Sequence, residues 1–270
     1  MSVERASRQV LCLAACRLPL KGSFVIAAIC RDGIVLASES RANIFDKTDR
    51  EQKPIAYYDG IQKLFTIGSV AMAETGQGLI LNAFFSAFVN QFAQARSSSL
   101  RVDQLLPMFI NYCEQQFPSV AVQEIKRQKL FSAGHINNHP TICYFNVDQP
   151  LRPFGCIQDS GFIESDLTLL AEYADQLPSL SAERVAALSK EAIESYAREG
   201  ERWKTIGGPI DVLLVTRSSC RWLDKSATRN WNCIQDLIRD YRDGKLELNL
   251  IPPATRKQLE DLLATVTQFR

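Results

Sequence analysis

At 270 residues, with 46% hydrophobic and 23% charged side chains, the chain has the make-up of an ordinary soluble globular protein and can bury one sizeable core. A formal net charge of +1 and no basic run interleaved with aromatics argue against a nucleic-acid partner, and no apolar stretch nears the ~20 residues of a membrane span. Cys12, Cys16, Cys30, Cys113, Cys143, Cys156, Cys220 and Cys233 are scattered without a CxxC, and His135 and His139 share one turn-like segment, so the sequence implies free thiols in a reducing, cytoplasmic setting and neither metal nor cofactor.

Residues 1–22 carry Arg5 and Arg8 ahead of an apolar run that ends in Leu13-Ala-Ala-Cys16, which loosely resembles an export signal. The run before that box, residues 10–13, is shorter than the roughly 7–15 residues an export signal needs, so a pro-segment or a helix stopped by Pro19 is expected. Residues 24–29 and 34–37 are apolar runs flanking Asp32-Gly33, a strong hairpin signal, and too little of either is amphipathic for one face to lie in water. Residues 43–58 are polar and charged, which reads as a loop. Residues 61–70 return to strand composition around Lys63, and the Gly-containing turn 74–78 opens a helix over 79–95 that is apolar around most of its circumference. A second helix spans 102–117, interrupted near Pro107. Strands follow at 130–134, 141–147 and 154–158, then Asp159-Ser160-Gly161, then helices at 165–176 and 181–199. Gly207-Gly208-Pro209 leads into a buried strand at 210–216. Beyond it come an amphipathic helix over 231–241 and a last helix over 259–269, announced by a Thr255/Gln258 capping box. Two helices on each side of a stacked pair of sheets is the economical arrangement of these elements.

The chemistry is narrowed by what is missing. There is no GxSxG elbow, P-loop, GxGxxG or HExxH, and two histidines in one turn make a histidine-dependent triad improbable. One generic alternative is a nucleophile at a chain terminus, whose own α-amine, with an ordinary pKa of about 7.7–8.0, is the base. Ser23 would take that part after cleavage of the Gly22–Ser23 bond. A lysine beside the amine would lower its proton affinity and a carboxylate would keep the lysine charged; Lys63 and Glu39 are candidates by position.

GSFVIAAICRDGIVLASESRA at 22–42, QKLFTIG at 62–68, the Gly-containing turn before a long helix, DSG at 159–161 and IGGPIDVLLVT at 206–216 together resemble the proteasome family, within the N-terminal-nucleophile hydrolases. The most specific piece is the first hairpin, with Glu39-Ser40-Arg41 six residues past the turn glycine. The resemblance implies an α+β fold, a four-layer αββα sandwich, over 23–216, with 1–22 as a leader and 217–270 as a helical extension. Carried over residue by residue, Ser23 falls in the nucleophile slot, Glu39 in that of an aspartate, Arg41 in that of the following arginine, and Lys63 in that of the tuning lysine. Ser160 and Gly161 fall beside the terminal amine, and the N–H of Gly76 supplies the oxyanion donor. Serine for threonine, glutamate for aspartate, and Trp203 where an aspartate usually precedes the paired glycines are departures. The activity implied is a self-processing peptidase acting on peptide or protein substrates, assembled as a homo-oligomeric ring with a possible unfoldase ATPase partner. Proteasome α-type subunits carry Gly-Ser or Gly-Thr uncut at this place, so an inactive ring subunit or regulator is the second reading.

Overall fold

The computed structural model describes residues 20–21, 24–45, 54–76, 78–96, 100–145, 154–158, 162–163, 173, 175–200, 202–229 and 231–268. Within them the hairpin is formed by β2 (Val25–Cys30) and β3 (Gly33–Glu39), both buried on both faces as their composition requires. The two turn residues are Arg31 and Asp32, with Cys30 opposite Gly33. Gly33 sits at φ +143°, and a Cβ there would strike the carbonyl oxygen of Val215, so glycine lets the neighbouring strand lie against the turn. Asp32 is occupied as well: its Oδ2 accepts the Ala182 N–H at 2.7 Å. That bond caps the first turn of a later helix and lowers the Asp32 carboxyl below its ordinary range.

Hairpin β2–β3 is the centre of a sheet ordered β13 (Phe162–Ile163), β2, β3, β14 (Ile210–Val215), β15 (Cys220–Asp224). A second sheet runs β12 (Phe154–Ile157), β11 (His139–Phe145), β10 (Lys129–Ile136), β7 (Val70–Thr75), β6 (Leu64–Ile67). Period-two alternation then divides the core. Ala27, Ile29, Leu36 and Leu213 of the first sheet pack with Leu64, Ala71, Ala73 and Ala133 of the second. The opposite face of the first sheet, through Ile26, Val35 and Leu214, packs against Val185, Leu188 and Ala192 of α4 (Ala182–Arg198). The opposite face of the second, through Phe65, Met72 and Leu130, packs against α1 (Phe85–Gln94), α2 (Val102–Gln116) and α3 (Ser119–Lys126). The protein is thus a mixed α+β fold of antiparallel sheets.

Several local expectations give way to pairing over longer range. The stretch expected as a loop over 43–58 holds β4 (Arg41–Phe45) and β5 (Pro54–Asp59), which pair antiparallel. Its polar composition misled because Asn43, though fully buried, spends its side-chain N–H₂ on the Thr205 carbonyl at 2.8 Å, and because Pro54 is the first residue of its strand. With β1 (Leu20–Lys21) and β16 (Asn249–Leu250) these strands make a third sheet, ordered β1-β4-β5-β16. The helix expected from 79 begins at Phe85; β8 (Leu79–Ile80) and β9 (Ala83–Phe84) form a small hairpin before it. Pro107 does not interrupt α2, where Leu105, Leu106, Phe109 and Ile110 are buried on both sides of it and hold the helix against the sheet. Past residue 216 the chain is not all helix, since β15 and β16 each join a sheet, beside α5 (Ile234–Arg242) and α6 (Arg256–Gln268). The Thr255/Gln258 box is present, with Gln258 Oε1 accepting the Thr255 N–H at 2.9 Å and Thr255 Oγ1 accepting the Gln258 N–H at 3.3 Å.

The reading of all cysteines as free thiols is corrected: Cys143 and Cys156 are joined in a disulfide, while Cys30, Cys113, Cys220 and Cys233 are free. Cys143 and Cys156 stand opposite each other in the β11–β12 ladder, thirteen residues apart in sequence. His135 and His139 lie in hairpin β10–β11, whose turn, Asn137-Asn138, has φ +50° and +72°. Among the described residues no helix is long and apolar enough to cross a membrane. The expected helix at 165–176 falls mostly outside the described residues, as does the segment 1–19.

Candidate functional site

The mouth of hairpin β2–β3 gathers buried ionisable side chains. Glu39, the last residue of β3, is 1% exposed, Lys63 is 2% and Glu74 is 0%. A buried carboxylate must be paired and hydrogen-bonded to remain charged, and Glu39 is both. Its Oε1 accepts the Phe24 N–H at 3.0 Å and an N–H of the Lys63 ammonium. Its Oε2 accepts the Arg41 N–H at 2.6 Å and, less closely, the Gly207 N–H at 3.4 Å. Lys63 gives a second N–H to the Arg41 carbonyl at 2.9 Å. One side chain therefore ties together the start of β2, the β3–β4 junction, the approach to β6 and the approach to β14.

Arg41 extends the cluster outward. Its guanidinium forks onto Asp59 of β5, both hydrogen bonds being 2.7 Å, and stacks over the Tyr57 ring at 3.7 Å from the centroid. The paired glycines answer to this fork. A Cβ on Gly207 would stand 2.8 Å from Arg41 Cζ, and one on Gly208, at φ +78°, would stand 2.8 Å from Asp59 Cγ. The chain entering β14 passes over the ion pair at a distance only glycine permits.

Of the residues singled out in the sequence, Glu39, Arg41 and Lys63 are brought into direct contact. Gly76 lies past the end of β7 at φ +137°, where a Cβ would collide with the side chain of the buried Gln128. Ser23, Ser160 and Gly161 fall outside the described residues, as does the side chain of Trp203. Phe24 is described, and its amide, the one that joins it to residue 23, is held by Glu39.

Two participants were not singled out. Asp59 lies immediately after the stretch expected as a loop and was assigned to no element, so nothing marked it as a partner of Arg41. Glu74 lies in VAMAET, an apolar strand in which an acid is as conspicuous as Lys63 is in its own run, but the glycines that follow drew it into the turn. Burial pushes the Glu74 carboxyl up to about 7; Lys63 opposes that rise and Glu39 adds to it. Among the described residues, neither carboxyl oxygen of Glu74 has a hydrogen-bond partner.

A solved structure of similar fold is that of Anbu, as a Gly-1 mutant from Hyphomicrobium sp. strain MC1, with a TM-score of 0.50 and 12% sequence identity over 83% of this chain and 96% of that chain. Anbu is a proteasome-like bacterial protein of the N-terminal-nucleophile-hydrolase type, and at this identity the likeness is one of fold. No family model and no curated protein matches the chain.

Proposed function

We propose that this chain is a proteasome-like amide-bond hydrolase, built as a four-layer αββα sandwich, in which Ser23 becomes an N-terminal nucleophile once the Gly22–Ser23 bond is cleaved. The observation that carries the reading is the buried Glu39 carboxylate, which binds the Phe24 N–H and the Lys63 ammonium through the same oxygen. It fixes the residue next to Ser23 beside a cation held in the core. In self-processing, the Ser23 hydroxyl attacks the Gly22 carbonyl and water then hydrolyses the resulting ester, leaving a free α-amine on Ser23. That amine serves as base when the same hydroxyl attacks a substrate carbonyl, and the neighbouring Lys63 charge keeps its proton affinity low. Backbone N–H groups near Gly76 would receive the oxyanion, with Ser160 and Gly161 beside the amine. Assembly is as a homo-oligomeric ring in the cytoplasm, acting on peptides and receiving unfolded chains from an ATPase.

One observation favours the second reading, an unprocessed ring subunit or regulator. Glu74 sets a second acid near Lys63, and in its ionised form it opposes negative charge growing on a scissile oxygen. Intact-mass measurement of the purified, assembled protein separates the two. The hydrolase reading expects a chain that begins at Ser23, and expects Ser23→Ala to abolish both cleavage and peptidase activity. Residues 1–22 still attached in the assembled particle, or cleavage surviving in Ser23→Ala, overturns it.

A further inference from the structure

Glu74 has no part in the chemistry proposed above, yet it faces Lys63 directly. Leu64 pairs with Ala73 across β6–β7, and the Glu74 N–H donates to the Lys63 carbonyl at 3.1 Å. Residues opposed in this way have Cβ atoms about 4.5–5.5 Å apart, within reach of a glutamate and a lysine side chain. The ammonium nevertheless goes to Glu39 and to the Arg41 carbonyl, which occupies two of its three N–H groups.

The two carboxyls are held very differently. Glu39 accepts three backbone N–H groups, from Phe24, Arg41 and Gly207, so its charge is stabilised even without the lysine. Glu74 is fully buried and, among the described residues, has no donor at either oxygen, so its ionised form gains far more from a cation than Glu39 does. The charged groups acting on it are Lys63 and Glu39, and its partner on β10, Leu130, is apolar. Two acids and one base enclosed together are neutral only while one acid keeps its proton.

We propose that Lys63 is shared between the two acids, with Glu74 as a positioning residue: protonated, it leaves the ammonium on Glu39, and ionised, it draws the ammonium across to itself. No covalent bond between heavy atoms changes; a proton passes from Glu74 to solvent and the lysine side chain moves between acceptors. Burial sets the exchange near neutral pH, since it pushes this carboxyl up to about 7. As a charge exchange it stands independently of catalysis; its consequence for activity rests on the hydrolase reading, under which Lys63 leaves the Ser23 amine as pH rises.

The test is an NMR titration of the full-length chain from pH 5 to 9, with carboxyl-labelled glutamate and labelled backbone amides. The Arg41 amide donates to Glu39 and reports on what else that carboxylate holds. The Glu74 carboxyl is expected to titrate with a midpoint of about 7, and the Arg41 amide to shift with the same midpoint. In Glu74→Gln the Arg41 shift disappears. An Arg41 amide that stays flat through the Glu74 midpoint, or one that titrates unchanged in Glu74→Gln, overturns the proposal. Should that variant not fold, the wild-type chain decides alone: coincident midpoints uphold the exchange and separate midpoints overturn it. A chain whose Gly22–Ser23 bond is never cut overturns the hydrolase reading and leaves the titration result as it is.

Discussion

Glu39 accomplishes with two oxygens what strand pairing cannot, because it joins both sheets through donors that lie far apart in sequence. One methylene shorter, an aspartate would have to give up part of that set, so glutamate is matched to the distances found here. Glu74 is its opposite, a buried carboxyl without a hydrogen-bond partner among the described residues, and that makes its effect on stability pH-dependent. Its carboxyl is raised from the ordinary 4.5 to about 7, so between those values the folded chain holds a proton that the unfolded chain has released. Stability therefore falls as pH rises from about 4.5 to about 7 and levels off above, a decline of about 3 kcal/mol. Urea unfolding of Glu74→Gln is expected to lack this decline, so the variant gains on wild type by about that amount between pH 5 and pH 8; parallel curves would show that Glu74 does not titrate in this window. Lys63 was legible in the sequence because a lysine inside an apolar run needs a reason. Glu74 obeyed the same logic but was followed by Thr75-Gly76, and a turn is an ordinary place for an acid.

Elements were legible where local pattern and long-range pairing agree. The first hairpin, the helix α4 and the Thr255 box all follow from neighbours in sequence. Strands β4 and β5 were not, because their polar side chains reach partners the sequence does not advertise, the Asn43 amide N–H₂ a carbonyl 162 residues away. The disulfide was hidden for the same reason. No cysteine spacing suggested it, and only the β11–β12 register brings Cys143 opposite Cys156. Strand β12 is short, lies at the sheet edge and leaves Phe154 41% exposed, so it has little apolar burial to hold it. Closing a loop of about this size removes roughly 3 kcal/mol of unfolded-state entropy. The double variant Cys143→Ala/Cys156→Ala is expected to lose stability by that order, and the wild type to show the same loss under a dithiol reductant. An unchanged melting curve in both would mean that the bridge does not form in solution.

Across the whole molecule, the resemblance read in the sequence rested largely on the stretches that hold β2, β3, β6 and β14 of the two large sheets, and the fold likeness to Anbu covers 83% of this chain. The third sheet escaped that reading because its closure depends on the far end of the chain: β16 pairs with β5, Asn249 opposite Tyr57. The same end supplies Trp231, Ile234, Leu237, Ile238, Leu246, Leu248, Leu259 and Leu263, which pack with Ile44, Ala56, Leu79 and Phe84 in a single buried cluster. Described residues beyond 216 thus contribute strands to two sheets and side chains to this buried cluster. Each large apolar side chain in that cluster contributes roughly 1.5–3 kcal/mol by burial, so losing all those of the C-terminal end is a large loss beside the ~5–15 kcal/mol by which a domain is normally stable. Loss of β15 would also bare the β14 edge beside the site. A chain ending at residue 216 is therefore expected to be insoluble or to lack a cooperative thermal transition. Far- and near-ultraviolet circular dichroism on that truncated chain would decide it: a native-like near-ultraviolet spectrum with a sharp melt would show that the two large sheets stand without the third, and that the C-terminal segment serves only contacts made after folding.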